Sequence, residues 1–194
     1  MSEARRRMLS FQDGARAVEL ARDAMESYVR NGQREQPGSM RDAFYARTGV
    51  FVRLESNGRL RGCAGDTEST QRLGHAIVDA AIEATSKSSC RSEIESAELA
   101  SVSVSVHVVG DIVPCDDPAN ELRIGQHGVL VEGEGKRECL YPTVPLDNGW
   151  STFEYLDRTC RKAGLPKGAW EDDDVTVSLI EGQVFRERTP RGDV

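Results

Sequence analysis

The apolar positions of the chain change period several times, and each change predicts an element. Between Gly14 and Arg30, Ala17, Leu20, Ala21, Ala24 and Tyr28 recur at steps of three and four, which predicts a helix with one buried face. Asp13 is placed to cap its start and Asn31-Gly32 to stop it. The polar stretch GQREQPGSM then reads as a loop. From Gly49 the period falls to two. The segment GVFVRLESNGRLRGCAG predicts a hairpin, because Asn57-Gly58 readily takes the positive φ angles of a tight turn. A two-residue loop sets Val52 opposite Cys63 and Leu54 opposite Arg61, whereas a three-residue loop around Gly58 changes these partners. Under either loop Arg61 and Cys63 are two residues apart, so they are expected on one face of the strand.

A helical stripe returns at Leu73, Ile77, Ala80, Ala81 and Ala84, capped by Thr67 or Ser69 and running to about Ser86. SKSSCRSEI breaks it. Valine and serine then alternate from Val102 to Val108, the pattern of a half-buried strand with one wet face. PCDDPANEL, with two prolines, is the place where a boundary between lobes would fall, within residues 110–122. HGVLVEGEGKRECLYP predicts a second hairpin. In GWSTFEYLDRTCRKAGLP, Ser151 and Glu154 have capping-box spacing, Gly164 suits a left-handed stop and Pro166 follows it. Phe153, Leu156 and Cys160 mark the expected inner face of that helix. DVTVSLIEGQVF supplies a last strand, and RERTPRGDV reads as a frayed end. Residues 8–190 therefore read as one domain with two lobes, flanked by flexible tails at 1–7 and 188–194. Helices and strands mix without a steady βαβ rhythm, so the expected class is α+β, a mainly antiparallel sheet with helices packed on it.

Composition narrows the functions. Its 194 residues suffice for a substantial core without disulfide support. With Lys+Arg 25 against Asp+Glu 32, the net charge of −7 disfavours sequence-independent binding to nucleic acid or anionic membrane. Only Lys87, Lys136, Lys162 and Lys167 are lysines, and together with the acidic surplus this points to a high-GC or salt-adapted source. No apolar run approaches the roughly 20 residues that span a bilayer. The basic, then amphipathic start lacks the apolar core of a signal peptide. Five cysteines, odd in number and without a C-x-x-C pair, argue against a disulfide framework or a thiolate zinc site. The expectation is a soluble cytoplasmic protein with reduced thiols. His75 and His107 read as lacking a ligand-spaced partner, and phosphate-binding loops, Rossmann glycines and nucleophile elbows are missing, so no metal or cofactor is expected.

The candidate chemistry concentrates in RLRGCAG. Cys63 is a candidate nucleophile, since a nearby cation or helix start lowers a thiol pKa. Arg61 offers a fork for a carboxylate or phosphate, Gly62 and Gly65 allow a ligand close to the backbone, and the amides of GDTEST could hold an anion. The competing reading makes Cys63 a small packed residue, the glycines a bulge or a close helix contact, and Arg61 the partner of an internal acid. Arg59, nearer the turn, is expected in solvent. His127, in a loop before a strand, is a candidate base, or else an ordinary loop histidine. His75 and His107 read as structural, Trp150 as an anchor of the helix start or a ligand-stacking ring, and WEDDDV as a solvated loop.

These segments together resemble the AMMECR domain family, whose usual motif is L-R-G-C-I-G. Leu60 to Gly65 match it, with Ala64 in place of isoleucine. The resemblance continues through IGQHGVLV, through LYPTVPLDNGWSTFEYLDRTCRKAGLP, and to Val184, Phe185 and Glu187, covering nearly the whole chain in family order. Two departures stand out: SKSSCRSEI lacks the family's aspartate-arginine-phenylalanine stretch, and Tyr141 directly precedes Pro142. The resemblance implies an intracellular α+β protein of two unequal lobes, with a Memo-like protein and a radical-SAM protein as partners. It supplies no agreed reaction or catalytic residue. Two functions follow as expectations, of which the first, acting with such a partner, is favoured. One is an enzyme-like pocket in which LRGCAG binds a small anionic ligand, with Arg61 as anchor and Cys63 as nucleophile. The other is a non-catalytic module for a nucleotide, RNA or a partner protein.

Overall fold

The computed structural model of the protein describes residues 9–86 and 92–194. The tail expected at 1–7, Cys90 and the middle of SKSSCRSEI lie outside the described residues. In chain order the elements are α1 (Phe11–Asn31), β1 (Val50–Ser56), β2 (Arg59–Asp66), α2 (Leu73–Thr85), β3 (Val102–Pro114), α3 (Pro118–Glu121), β4 (Gly128–Gly133), β5 (Lys136–Leu140), α4 (Thr143–Asn148), α5 (Thr152–Lys162) and β6 (Thr176–Arg186). All strand pairings described below are antiparallel, and helices and strands are mixed, so the α+β expectation holds. The chain divides into two compact units, Met1–Gly110 with Gln183–Val194, and Asp111–Gly182.

In the first unit the strands run in the order β2-β1-β3, and β2 ends the sheet. Val50, Val52 and Leu54 of β1 and Val102, Val104, Val106 and Val108 of β3 form one core with α1 and α2. Both helices pack on this valine face, which is why the stripes have a three-and-four period while the strands alternate. Helix α1 begins earlier than Asp13. Ser10 is its cap and accepts the Asp13 N–H at 3.1 Å, and Gly32 closes it in the left-handed region. Ala17, Leu20, Ala21 and Ala24 are buried as the stripe predicts, whereas Tyr28, expected on the same face, is 38% exposed near the helix end. Helix α2 starts at Leu73, later than either expected cap, with Arg72 at the cap position and no side-chain cap bond. Ser69 instead holds a local turn by accepting the Gln71 N–H at 3.1 Å, and Thr67 donates to Asp66.

The end of the chain is tied to this unit, contrary to the expected frayed tail. Phe185 packs against the core, and Glu187 is buried. Its carboxylate takes the Arg22 Nε–H at 2.9 Å, a second bond from Arg22 Nη2, and the Val104 amide at 2.9 Å. Beyond it, Arg191 donates to Glu26 at 2.8 Å, and the Arg188 amide closes a turn on the Asp193 carbonyl. A buried charge needs such compensation, so the acid that pairs with Arg22 holds the tail in place.

In the second unit the order is β6-β4-β5. The expected second hairpin is β4–β5, whose two-residue turn Glu134-Gly135 has φ of 52° and 72°. Helix α5 has the predicted capping box, with Ser151 accepting the Glu154 N–H while Glu154 accepts the Ser151 N–H. Leu156 and Cys160 are fully buried, as expected, but Phe153 is 56% exposed. Tyr155 takes the inner position at that end of the helix, and the Phe153 ring instead lies 5.9 Å from Trp170. The buried Tyr155 hydroxyl donates towards the carbonyls of Leu140 and Tyr141, and burial pushes its pKa well up. Trp150 is partly buried under the Arg158 guanidinium, 5.2 Å from its ring centre.

Candidate functional site

The hairpin has the two-residue Asn57-Gly58 turn, but its register is not the one that turn alone dictates. A β-bulge shifts the pairing between Leu54 and Glu55, leaving Arg61 as the extra residue. Cys63 therefore lies opposite Arg53, not Val52, and Gly62 takes the place expected for Arg61 opposite Leu54. Gly62 and Ala64 pair with the core-facing residues of β1, so Cys63 belongs to the other face, with Arg53, Phe51 and the Ser105 position of β3. Sequence alternation carries no sign of a bulge, and one inserted residue is enough to move every later side chain.

Arg61 turns to the segment that follows α2. Its Nε–H and one Nη2–H grip the Glu98 carboxylate at 2.7 and 2.8 Å; Nη1 and Nη2 donate to the carbonyls of Ser92 and Glu93 at 2.7 and 2.8 Å. Four of its five N–H donors are thereby used inside the protein. The bidentate bond to Arg61 lowers the Glu98 pKa, and the same bond raises that of Arg61. The glycines are likewise taken up by packing. A Cβ on Gly62 would fall on the Ala84 carbonyl of α2, and Gly65, at φ +134°, sits against the backbone of Val50 and Phe51. In the direction a side chain would take, both glycines therefore meet backbone, of the helix and of the neighbouring strand.

Of the GDTEST amides, that of Glu68 donates to the Asp66 side chain at 3.4 Å; just beyond, the Gln71 N–H goes to Ser69 and the Leu73 N–H to the Ala46 carbonyl at 2.8 Å. The helix starts at Leu73, eight residues after Gly65, later than the sequence suggested. Cys63 itself is half-buried and, like Cys115, Cys139 and Cys160, forms no disulfide. Across the strand, Arg53 is held by Glu55, with Nε and Nη2 at 3.0 and 2.7 Å from the same carboxylate oxygen, and Arg186 reaches the other oxygen at 3.4 Å. His127 stands in the second unit. Its Nδ1 accepts the Arg123 N–H at 3.3 Å, and its carbonyl accepts the Tyr155 hydroxyl at 3.3 Å. Among the described residues no group of three or more His, Cys, Asp or Glu side chains could hold a metal ion. No helix among them is long and apolar enough to cross a membrane. A groove of about 530 Å³ in the first unit lies between α1 and residues 187–194, and none of its lining residues comes from β2.

His107 was legible only as a structural residue, and its environment gives it a measurable effect. It is 6% exposed, its ring centre is 6.3 Å from that of Phe51, and burial lowers its pKa to about 4. It stays neutral in the folded protein while the unfolded chain protonates near pH 6.5. Its contribution is therefore complete above about pH 6.5 and is lost as pH falls towards 4, by about 3 kcal/mol at most. Urea unfolding midpoints should drop between pH 6.5 and 4.5, and His107→Phe should flatten that part of the profile. An unchanged profile in the variant would mean another group sets it.

This is an α+β architecture with a hairpin motif strand packed under a helix. The family profile AMMECR1 matches residues 18–185, and the chain belongs to that family. It is 60% identical to a protein of Halobacterium salinarum, over 96% of this chain and 93% of that one. It is 35% identical to a protein of Methanothermobacter thermautotrophicus, over 92% and 96% of the two chains. Among solved structures, the crystal structure of an uncharacterized protein from Pyrococcus horikoshii matches with a TM-score of 0.86 and 31% identity, covering 95% of this chain and 96% of that one.

Proposed function

We propose that this AMMECR1-family chain is a non-catalytic interaction module of the cytoplasm, with β2 as its recognition strand. The observation that carries this reading is the commitment of Arg61. The cation that would have anchored an anionic substrate beside Cys63 is bound to Glu98 and two carbonyls. A nucleophile also needs a base within hydrogen-bond reach, and the candidate His127 uses Nδ1 for the Arg123 amide. What β2 retains is a half-exposed strand of small residues, a surface suited to contact more than to turnover. The Memo-like and radical-SAM proteins implied by the family resemblance are the proposed partners. The net charge of −7 argues against RNA in that role.

The test is reconstitution with each of these two partner proteins, together with the Cys63→Ser variant. The expected result is a stable complex with one of them, and the same complex formed by Cys63→Ser. Loss of all cellular function in a folded Cys63→Ser variant would overturn the reading and restore a reactive thiol.

A further inference from the structure

We infer that the outer edge of β2 pairs with the same edge of a second copy of this chain, as an antiparallel strand pair with its two-fold axis at Cys63. The inference rests on the reading of β2 as a recognition strand. It starts from the position of β2 at the end of its sheet, with β1 on one side and no strand on the other among the described residues. From Gly62 to Asp66 the register with β1 is regular, so alternate backbone N–H and C=O groups of this stretch point outward. Exposed edges are ordinarily blunted by lysine, proline or a bulge. Gly62–Asp66 has neither lysine nor proline, and the bulge lies at the hairpin end.

A two-fold antiparallel pair requires a strand that is complementary to itself when read backwards. Positions along β2 can be counted by their partners in β1. Cys63 lies opposite Arg53, Asp66 opposite Val50, and Arg59 opposite Ser56, so the acid and the base stand equally far from Cys63 on either side. Val50 and Ser56 share one face of β1, which puts Asp66 and Arg59 on one face of β2. An axis at Cys63 therefore sets Arg59 of each copy opposite Asp66 of the other, twice per pair. The bulge is what creates this match: without the extra residue Arg61, Arg59 would fall one position out of line and on the opposite face. Between the charged ends the facing pairs are Cys63 with Cys63, Gly62 with Ala64 and Leu60 with Gly65, so every pair has at least one small partner and the exposed Leu60 lies over a glycine. Arg59 and Asp66 are both exposed, whereas Arg61, bound to Glu98, takes no part.

The experiment uses the full chain. Light scattering should report a species of twice 21.3 kDa that dissociates on dilution. Facing Cα atoms in an antiparallel pair are about 4.5–5.5 Å apart, within disulfide reach, so mild copper-phenanthroline oxidation should link the copies through Cys63 and fail in Cys63→Ser. Arg59→Asp or Asp66→Arg alone sets like charges face to face and should weaken the dimer by about tenfold or more. The double variant R59D/D66R swaps the pair and should restore the dimer to near the wild-type constant. A monomer at all concentrations, or a dimer indifferent to these reversals, overturns the inference. A monomer that still binds a Memo-like or radical-SAM protein through β2 removes self-pairing alone. A dimer behaving as described that binds neither protein leaves self-pairing and removes the wider reading.

Discussion

Glu187→Ala is expected to lower the stability of the protein by about 3–5 kcal/mol, the cost of leaving a buried charge without its partner. The side chains of Arg22 and Glu187 are only 8% and 4% exposed. Among the described residues Glu187 is the one carboxylate that meets the guanidinium with two parallel bonds; Arg22 also reaches Glu26 at 3.4 Å and the carbonyls of Leu99 and Val102. The same acid satisfies the Val104 amide inside the sheet. Its removal thus leaves three N–H donors unpaired, two of Arg22 and that of Val104, and loosens residues 188–194 from α1. Glu187→Gln keeps the shape and one acceptor oxygen, and should fall between wild type and alanine. Urea unfolding at pH 7 measures the difference. A loss below about 1 kcal/mol for Glu187→Ala would mean that water or Glu26 compensates Arg22, and that the tail is not held by this pair.

Gly62→Ala should be nearly as damaging, although it adds one methyl group. Overpacking a close contact costs about 1–3 kcal/mol, and more where neither side can yield. Here both sides are backbone, the β2 strand and the last turn of α2 at Ala84. Relief requires lifting the helix from the sheet or shifting the strand, and the strand is pinned by five regular pairs with β1. Cys63→Ser, one residue away on the opposite face, is the control and should stay within about 1 kcal/mol of wild type. If Gly62→Ala proves as mild as Cys63→Ser, α2 does not press on this strand and the glycine would again be available to a ligand.

These two predictions also show what sequence could and could not supply. The stripes of α1 and α2, the valine alternation of β3, the Asn57-Gly58 turn and the Ser151–Glu154 cap follow from local periodicity and turn chemistry, and each is present. What the sequence did not carry around the candidate site is set by long-range partners. Glu98 lies 37 residues from Arg61, and Ala84 meets Gly62 only because α2 folds back on the hairpin. The bulge at Arg61 has no signature in the alternation, and it moved Cys63 from a valine to an arginine neighbour. Glu187 looked like part of a frayed, charged end, since nothing adjacent to it announces a buried arginine 165 residues away. Phe153 had the right spacing for the core, but Tyr155, with carbonyl partners for its hydroxyl, was the better residue to bury.

The role proposed for β2 is recognition without reaction. It is tested most directly by titrating the Memo-like protein of the same organism, by calorimetry, into wild type, Cys63→Ser and Arg61→Lys. Wild type and Cys63→Ser are expected to bind with equal affinity. Arg61→Lys, which cannot grip Glu98 with a fork, should bind several-fold more weakly because the strand and the 92–98 segment lose their tie. Binding abolished by Cys63→Ser in a protein that unfolds like wild type would contradict it.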